Sequence, residues 1–135
     1  MTFKLGQNSL NNIAGVDPRL IMIVDHAIQI SNIDFGIPSS GGLRTTEDQA
    51  ALFTAGVSKA DGRTHKSYHQ TGKAVDVYAY VDGKASWDTA HLALVAVAML
   101  QAASFYKIPL ESGVLWNKKG ALYGWDCPHF QLVGD

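Results

Sequence analysis

The sequence predicts an α+β domain in which helices pack on a small antiparallel sheet. Three observations carry this. A segment from Asp17 to about Ser31, and another from Ser86 or Asp88 to about Tyr106, have helical caps and apolar runs. Lys73 to Val81 alternates like a half-buried strand and ends in Asp82-Gly83, a hairpin turn signal. The 135 residues suffice for one hydrophobic core but not for two.

Taken in order, residues 1–16 read as an irregular or partly helical lead-in. Asp17-Pro18 starts the first confident helix, because Asp caps well and Pro at the first position loses no needed hydrogen bond. Leu20, Ile21, Ile23, Val24, Ala27 and Ile28 give it a wide apolar face. Asp34 to Ile37 is a short strand candidate, followed by the loop Pro38-Ser39-Ser40-Gly41-Gly42. Thr46-Glu47-Asp48-Gln49 reads as a capping box, with Thr46 as cap and Gln49 reaching back. That helix runs to about Ala55 and stops at Gly56. Residues 57–67 are polar and expected to form a mobile rim.

In the strand 73–81, Ala74, Asp76, Tyr78 and Tyr80 share one face, and Val75, Val77, Ala79 and Val81 the other. The helix to Tyr106 is apolar on most sides and is expected to be central and buried. Residues 113–117 and 121–123 read as short strands around a turn at 117–120. His129 to Val133 reads as the last strand, with His129, Gln131 and Val133 on one side.

Composition excludes some functions. The formal net charge is -1, which gives no general attraction to phosphate backbones, so nucleic acid is not an expected partner. The single cysteine, Cys127, rules out an intrachain disulfide. The N-terminus lacks a secretory apolar segment, and the run Leu92 to Leu100 is too short to span a bilayer. The expectation is a cytosolic monomer with no membrane insertion.

The chemistry concentrates in Ser67-Tyr68-His69-Gln70-Thr71-Gly72-Lys73-Ala74-Val75-Asp76 and in Asp126-Cys127-Pro128-His129. Two imidazoles and a carboxylate make a three-ligand metal set, which leaves one position for water. Gly72 permits a turn between His69 and Asp76, and His129 would come from a neighbouring strand. Such donors suit Zn²⁺, with Mn²⁺, Co²⁺ or Ni²⁺ as alternatives. Each residue also has an ordinary reading, as a surface or core histidine or a turn-capping aspartate. Spacing alone leaves both open.

The string Ser67-x-His69-x-x-Gly72-x-Ala74-x-Asp76, followed about fifty residues later by Asp126-x-x-His129, resembles the zinc D-alanyl-D-alanine carboxypeptidase and L-alanyl-D-glutamate endopeptidase family. Within it, the chain is most similar to the single-domain endopeptidases that tailed phages use as endolysins. The likeness extends to Phe3-Lys4-Leu5-Gly6-x-Asn8-Ser9, Gly42-Leu43-Arg44-Thr45, Gly113-x-x-Trp116-Asn117 and His129-x-x-Leu132-Val133. The resemblance implies a zinc peptidase fold spanning residues 1–135, with no separate wall-binding domain. It implies one Zn²⁺ on His69, Asp76 and His129, with Asp126 as catalytic base and acid. It implies that Arg44 contacts the substrate or the developing oxyanion. Cys127-Pro128 departs from the family, where small residues are frequent.

The implied substrate is the peptidoglycan stem peptide, cut at the L-alanyl–D-glutamate bond. The implied route is accumulation in the host cytoplasm and release through a phage pore. Arg44 or Lys73 would pair with a stem carboxylate. Trp116, Trp125, Tyr78 and Tyr80 are candidates to line the substrate groove; Tyr78, on the Asp76 face, is the best of them, while core packing is the more ordinary reading of Trp116, Trp125 and Tyr80. Ser67 is either a support for a ligand or a loop cap. Two rival readings are a D-alanyl-D-alanine carboxypeptidase and a non-catalytic, zinc-stabilised module that binds wall peptide. His65, His26, His91 and Cys127 are read as ordinary residues outside the metal set, and a Ser67/His69/Asp76 nucleophilic triad lacks an oxyanion hole.

Overall fold

The computed structural model describes residues 2–117, 121 and 123–134. Helix α1 (Gln7–Ile13) occupies the lead-in, and α2 (Pro18–Ile30) follows under its Asp17 cap, whose carboxylate accepts from the Arg19 amide. Strand β1 is Asp34–Gly36 and helix α3 is Thr46–Thr54. A one-turn 3-10 helix, Tyr68–Thr71, leads into β2 (Ala74–Asp76), β3 (Tyr78–Val81) and β4 (Lys84–Ser86). Helix α4 (Thr89–Tyr106), capped by Asp88, precedes β5 (Leu110–Ser112), a 3-10 turn at Gly113–Leu115 and β6 (His129–Leu132).

Two three-stranded antiparallel sheets replace the single expected one, in the orders β1-β3-β4 and β2-β6-β5. The strand expected over 73–81 is divided at Val77. Up to Asp76 it pairs with β6; from Tyr78 it pairs with β1 and β4. The Asp76 amide donates to the Gly41 carbonyl at 2.8 Å and the Val77 amide to the Pro128 carbonyl at 3.0 Å, so the ladder changes partners there. Val75, Val77 and Ala79 are buried, as alternation requires.

Four further differences are local. The α3 cap is Thr45, not Thr46, because Thr45 is extended and its hydroxyl accepts from the Asp48 amide. Gln49 does not reach back to the cap; it is fully buried and bonded elsewhere. Residues 113–115 form a 3-10 turn rather than a strand, since the Ser112 hydroxyl caps the Val114 amide. Ala121 and Tyr123 lie outside any strand, and the expected turn at 117–120 lies mostly outside the described residues.

Leu20, Ile23 and Val24 of α2 meet Leu92, Val95 and Met99 of α4, with Phe130 and Leu132 closing the core from β6. Fully burying each such side chain contributes about 1.5–3 kcal/mol. Helix α4 is only partly central: Leu94, Val97 and Phe105 are exposed. It is long and apolar enough to cross a membrane by length and composition alone, while its inner face packs on α2.

Candidate metal centre

The two sequence segments meet through the β2–β6 ladder. Asp76 lies opposite His129 in that antiparallel register. His69 arrives from the preceding 3-10 turn, which Ser67 caps by accepting from the His69 amide while Gln70 reaches back to the Ser67 amide. Gly72 closes the turn with φ 74, a left-handed conformation that favours glycine.

His69 Nε2 lies 3.3 Å from Asp76 Oδ1, and His129 Nδ1 lies 3.1 Å from the same oxygen. One ligand atom from each residue falls within 4.8 Å of the others. A tetrahedron with bonds of about 2.0–2.1 Å has edges of about 3.3 Å, so the two shorter separations suit a shared cation.

The imidazoles are oriented from behind. His69 Nδ1 faces the Gly42 carbonyl at 3.0 Å, so it carries the proton and turns the Nε2 lone pair inward. That buried Nε2 has no hydrogen-bond partner among the described residues, which a metal would remedy. His129 is held the other way round: its Nε2 faces Gln131 Oε1 at 2.8 Å, which leaves Nδ1 for the site. Gln131 is steadied in turn by donating to Glu111 at 3.3 Å.

Asp76 is similarly fixed. Arg44 Nη2 donates to its outer oxygen, Oδ2, at 3.0 Å. The same guanidinium donates to the Ser40 carbonyl at 2.8 Å and to Gln49 Oε1 at 3.1 Å. Burial would raise the Asp76 pKa, but the His129 and His69 side chains beside it hold it well below the usual carboxylate range. Burial likewise pulls His129 down, and Asp76 beside it more than offsets this, so the net direction is up. The residues present fit a divalent cation: two imidazole nitrogens and one carboxylate oxygen, converging on a cavity.

Asp126 stands at the edge of this set. Its Oδ2 lies 3.8 Å from His129 Nδ1. Gly113 packs so closely beneath it that a Cβ there would collide with the Asp126 carbonyl oxygen. Burial raises the Asp126 pKa above its ordinary value, against the pull of His129. The cavity it faces has a volume of about 710 Å³ and is also lined by Trp87, Trp116, Trp125, Lys59 and Lys66.

This chain matches, over residues 1–133, the family model described as phage L-alanyl-D-glutamate peptidase. It belongs to that family. It is 34% identical to the L-alanyl-D-glutamate peptidase of Escherichia phage T5, covering 98% of this chain and all of that one. Its structure is similar to that of the L-Ala D-Glu endopeptidase ChiX of Serratia marcescens, with a TM-score of 0.76 and 35% identity over 96% of this chain and 90% of that one. This likeness includes the α+β architecture.

Among the peptidase family's expected site residues, His69, Asp76, His129, Asp126 and Arg44 converge. Arg44 does so through Asp76: three of its nitrogens bond within the protein, which ties it to the Asp76 carboxylate rather than leaving it wholly for substrate. Trp116 lines the cavity, its ring 5.2 Å from that of His129. Tyr78 is a correction. Beyond the break at Val77 it turns away from the metal cavity and lines a second one beside Gly36 and Ser9. Ser67 lines the metal cavity, but its hydroxyl is engaged in capping. Lys73 pairs with Asp17 at 3.1 Å and is not a wall of the metal cavity.

His26 stacks on Phe105, His91 bonds Ser86, and the Cys127 thiol donates to the Gly124 carbonyl, so none joins the set. Sequence reasoning missed Gln49, Gln131 and Trp87. Only Gln131 left a signal, its side shared with His129. The expected mobile rim is tied down: Gln49 Nε2 donates to Ser58 Oγ and the Ala60 carbonyl, both at 2.8 Å, and Gln70 donates to the Gly62 carbonyl.

Proposed function

We propose that this chain is a zinc endopeptidase that hydrolyses the L-alanyl–D-glutamate bond of peptidoglycan stem peptides. The observation that carries the reading is Asp76 Oδ1 facing both imidazole nitrogens, with the Asp126 carboxylate beside them. His69 Nε2, Asp76 Oδ1 and His129 Nδ1 would hold the metal. Bound there, Zn²⁺ supplies Lewis acidity toward the scissile carbonyl and makes water a nucleophile near neutral pH.

Asp126 does the proton work. Its carboxylate takes a proton from the attacking water and returns it to the departing amine of D-glutamate. Its raised pKa suits both halves of that transfer. Arg44 keeps Asp76 presenting one oxygen inward and adds positive charge near the developing oxyanion. Trp87, Trp116 and Trp125 supply apolar walls, and Lys59 and Lys66 are the lysines along the cavity for a stem-peptide carboxylate.

In this reading the protein acts as a monomer on the host cell wall, reached from the cytoplasm through a phage pore. Chelation tests the metal's part. Removal of zinc abolishes digestion of purified cell wall while the circular dichroism spectrum persists, and added zinc restores digestion. Unfolding on chelation would assign the metal a structural role instead.

A further inference from the structure

A second cavity, about 380 Å³ in volume, lies beside the metal cavity and is walled by Lys4, Asn8, Asp34, Tyr78 and Tyr80. The two are joined by an aromatic pair. The Trp87 ring, part of the metal cavity wall, lies 6.0 Å from the Tyr78 ring, part of the second. Tyr80 and Trp87 are 44% and 52% exposed, high values for large aromatic groups on a folded surface.

The chemistry of the proposed substrate gives this second space a use. A stem peptide is attached through its L-alanine to the lactyl group of an N-acetylated amino sugar. One residue and one lactyl unit separate the scissile carbonyl from the sugar ring, a reach of about 7 Å when extended. The Trp87–Tyr78 ring contact, 6.0 Å between centroids, links the two cavities on the scale of that reach.

The lining suits a carbohydrate. Aromatic rings offer flat apolar surface to the C–H faces of a sugar, and amide, carboxylate and phenol groups pair with its hydroxyls and acetamido group. A ligand site combining apolar walls with a few polar groups has this composition. No hydrogen bond among the described residues engages the side chains of Asn8 or Tyr80.

We propose that the cavity formed by Asn8, Asp34, Tyr78 and Tyr80 is a glycan subsite that binds the amino sugar carrying the stem peptide. The subsite rests on the endopeptidase reading and extends it: the enzyme grips the sugar on the alanine side of the cut. Free stem peptide then lacks part of the recognised substrate.

The test compares two soluble substrates with the same scissile bond, a disaccharide-tetrapeptide and the tetrapeptide alone. The zinc-loaded enzyme is expected to prefer the former by about tenfold or more in kcat/KM. Tyr80→Ala and Asn8→Ala, checked for folding by circular dichroism, each bring that preference toward parity. Titration of the sugar-only disaccharide, followed by NMR, shifts Asn8, Tyr78 and Tyr80. Equal wild-type rates on both substrates, or a preference untouched by both variants, overturn the subsite. Sugar shifts without cleavage of either substrate would instead overturn the endopeptidase reading alone.

Discussion

Arg44 Nη2 donates to Asp76 Oδ2 at 3.0 Å, and that bond leaves Asp76 Oδ1 facing His69 and His129. The geometry of the centre is thus set partly by residues that would never touch the metal. Gln49 stands behind Arg44 and ties it to the cavity rim. Gln49→Ala would leave Arg44 Nη1, Ser58 and the Ala60 carbonyl without their shared partner. Losing such buried partners costs about 1–3 kcal/mol. Zinc affinity should weaken about 10–100-fold, as when outer partners of ligands are removed. Urea unfolding and competitive zinc titration check both; unchanged zinc affinity would reduce Gln49 to a fold-stabilising residue.

Gln131 plays the corresponding part for His129. Gln131→Leu removes the acceptor that fixes His129 with Nδ1 inward. Zinc affinity should fall about 10–100-fold with little loss of stability, because Gln131 is only partly buried. The same titration reads the result, and wild-type affinity would contradict the tautomer assignment.

The ligands and the base should separate cleanly. His69→Ala and His129→Ala lose stoichiometric zinc in elemental analysis of the purified proteins. Asp126→Ala keeps zinc and its fold but loses about 100-fold or more in turnover. An active Asp126→Ala enzyme would remove Asp126 from the mechanism.

Asp17 sets an acid limit on stability. The Arg19 side chain foremost, then its amide and Lys73, hold the Asp17 carboxyl well below its ordinary value of 3.8, against the opposing effect of burial. A depressed folded pKa contributes stability above the unfolded value, and that contribution is lost as pH falls toward the folded one. Asp17→Asn keeps a good helix cap but loses the ion pairs, so it should cost about 1 kcal/mol at pH 7. The gap between variant and wild type should narrow below about pH 4. Urea midpoints at pH 7 and pH 3 measure it; a constant gap would contradict the assignment.

The centre was legible because its residues are written locally. His69, Gly72 and Asp76 encode a turn and a strand, and Asp126 precedes His129 by a short step, but spacing alone leaves their roles open and the family resemblance joins the two segments. What defeated the sequence was pairing. The 73–81 segment alternates throughout, yet it changes sheets at Val77 because Gly41 and Pro128, distant in the chain, take its amides. Alternation therefore puts Tyr78 on the Asp76 face, while the change of sheet carries it to the second cavity. Gln49 looks like a cap partner in the sequence because a glutamine near a helix start has the same pattern whether it reaches back or inward. The exposed tryptophans lie at the cavity because loop closure, not periodicity, puts them there.

The most direct measurement is mass spectrometry of the fragments released when the zinc-loaded enzyme digests purified peptidoglycan. The expected products carry a new free amine on D-glutamate, and the sugar-linked fragment ends at L-alanine. Release of free D-alanine with that bond intact, or no new ends at all, would contradict the account.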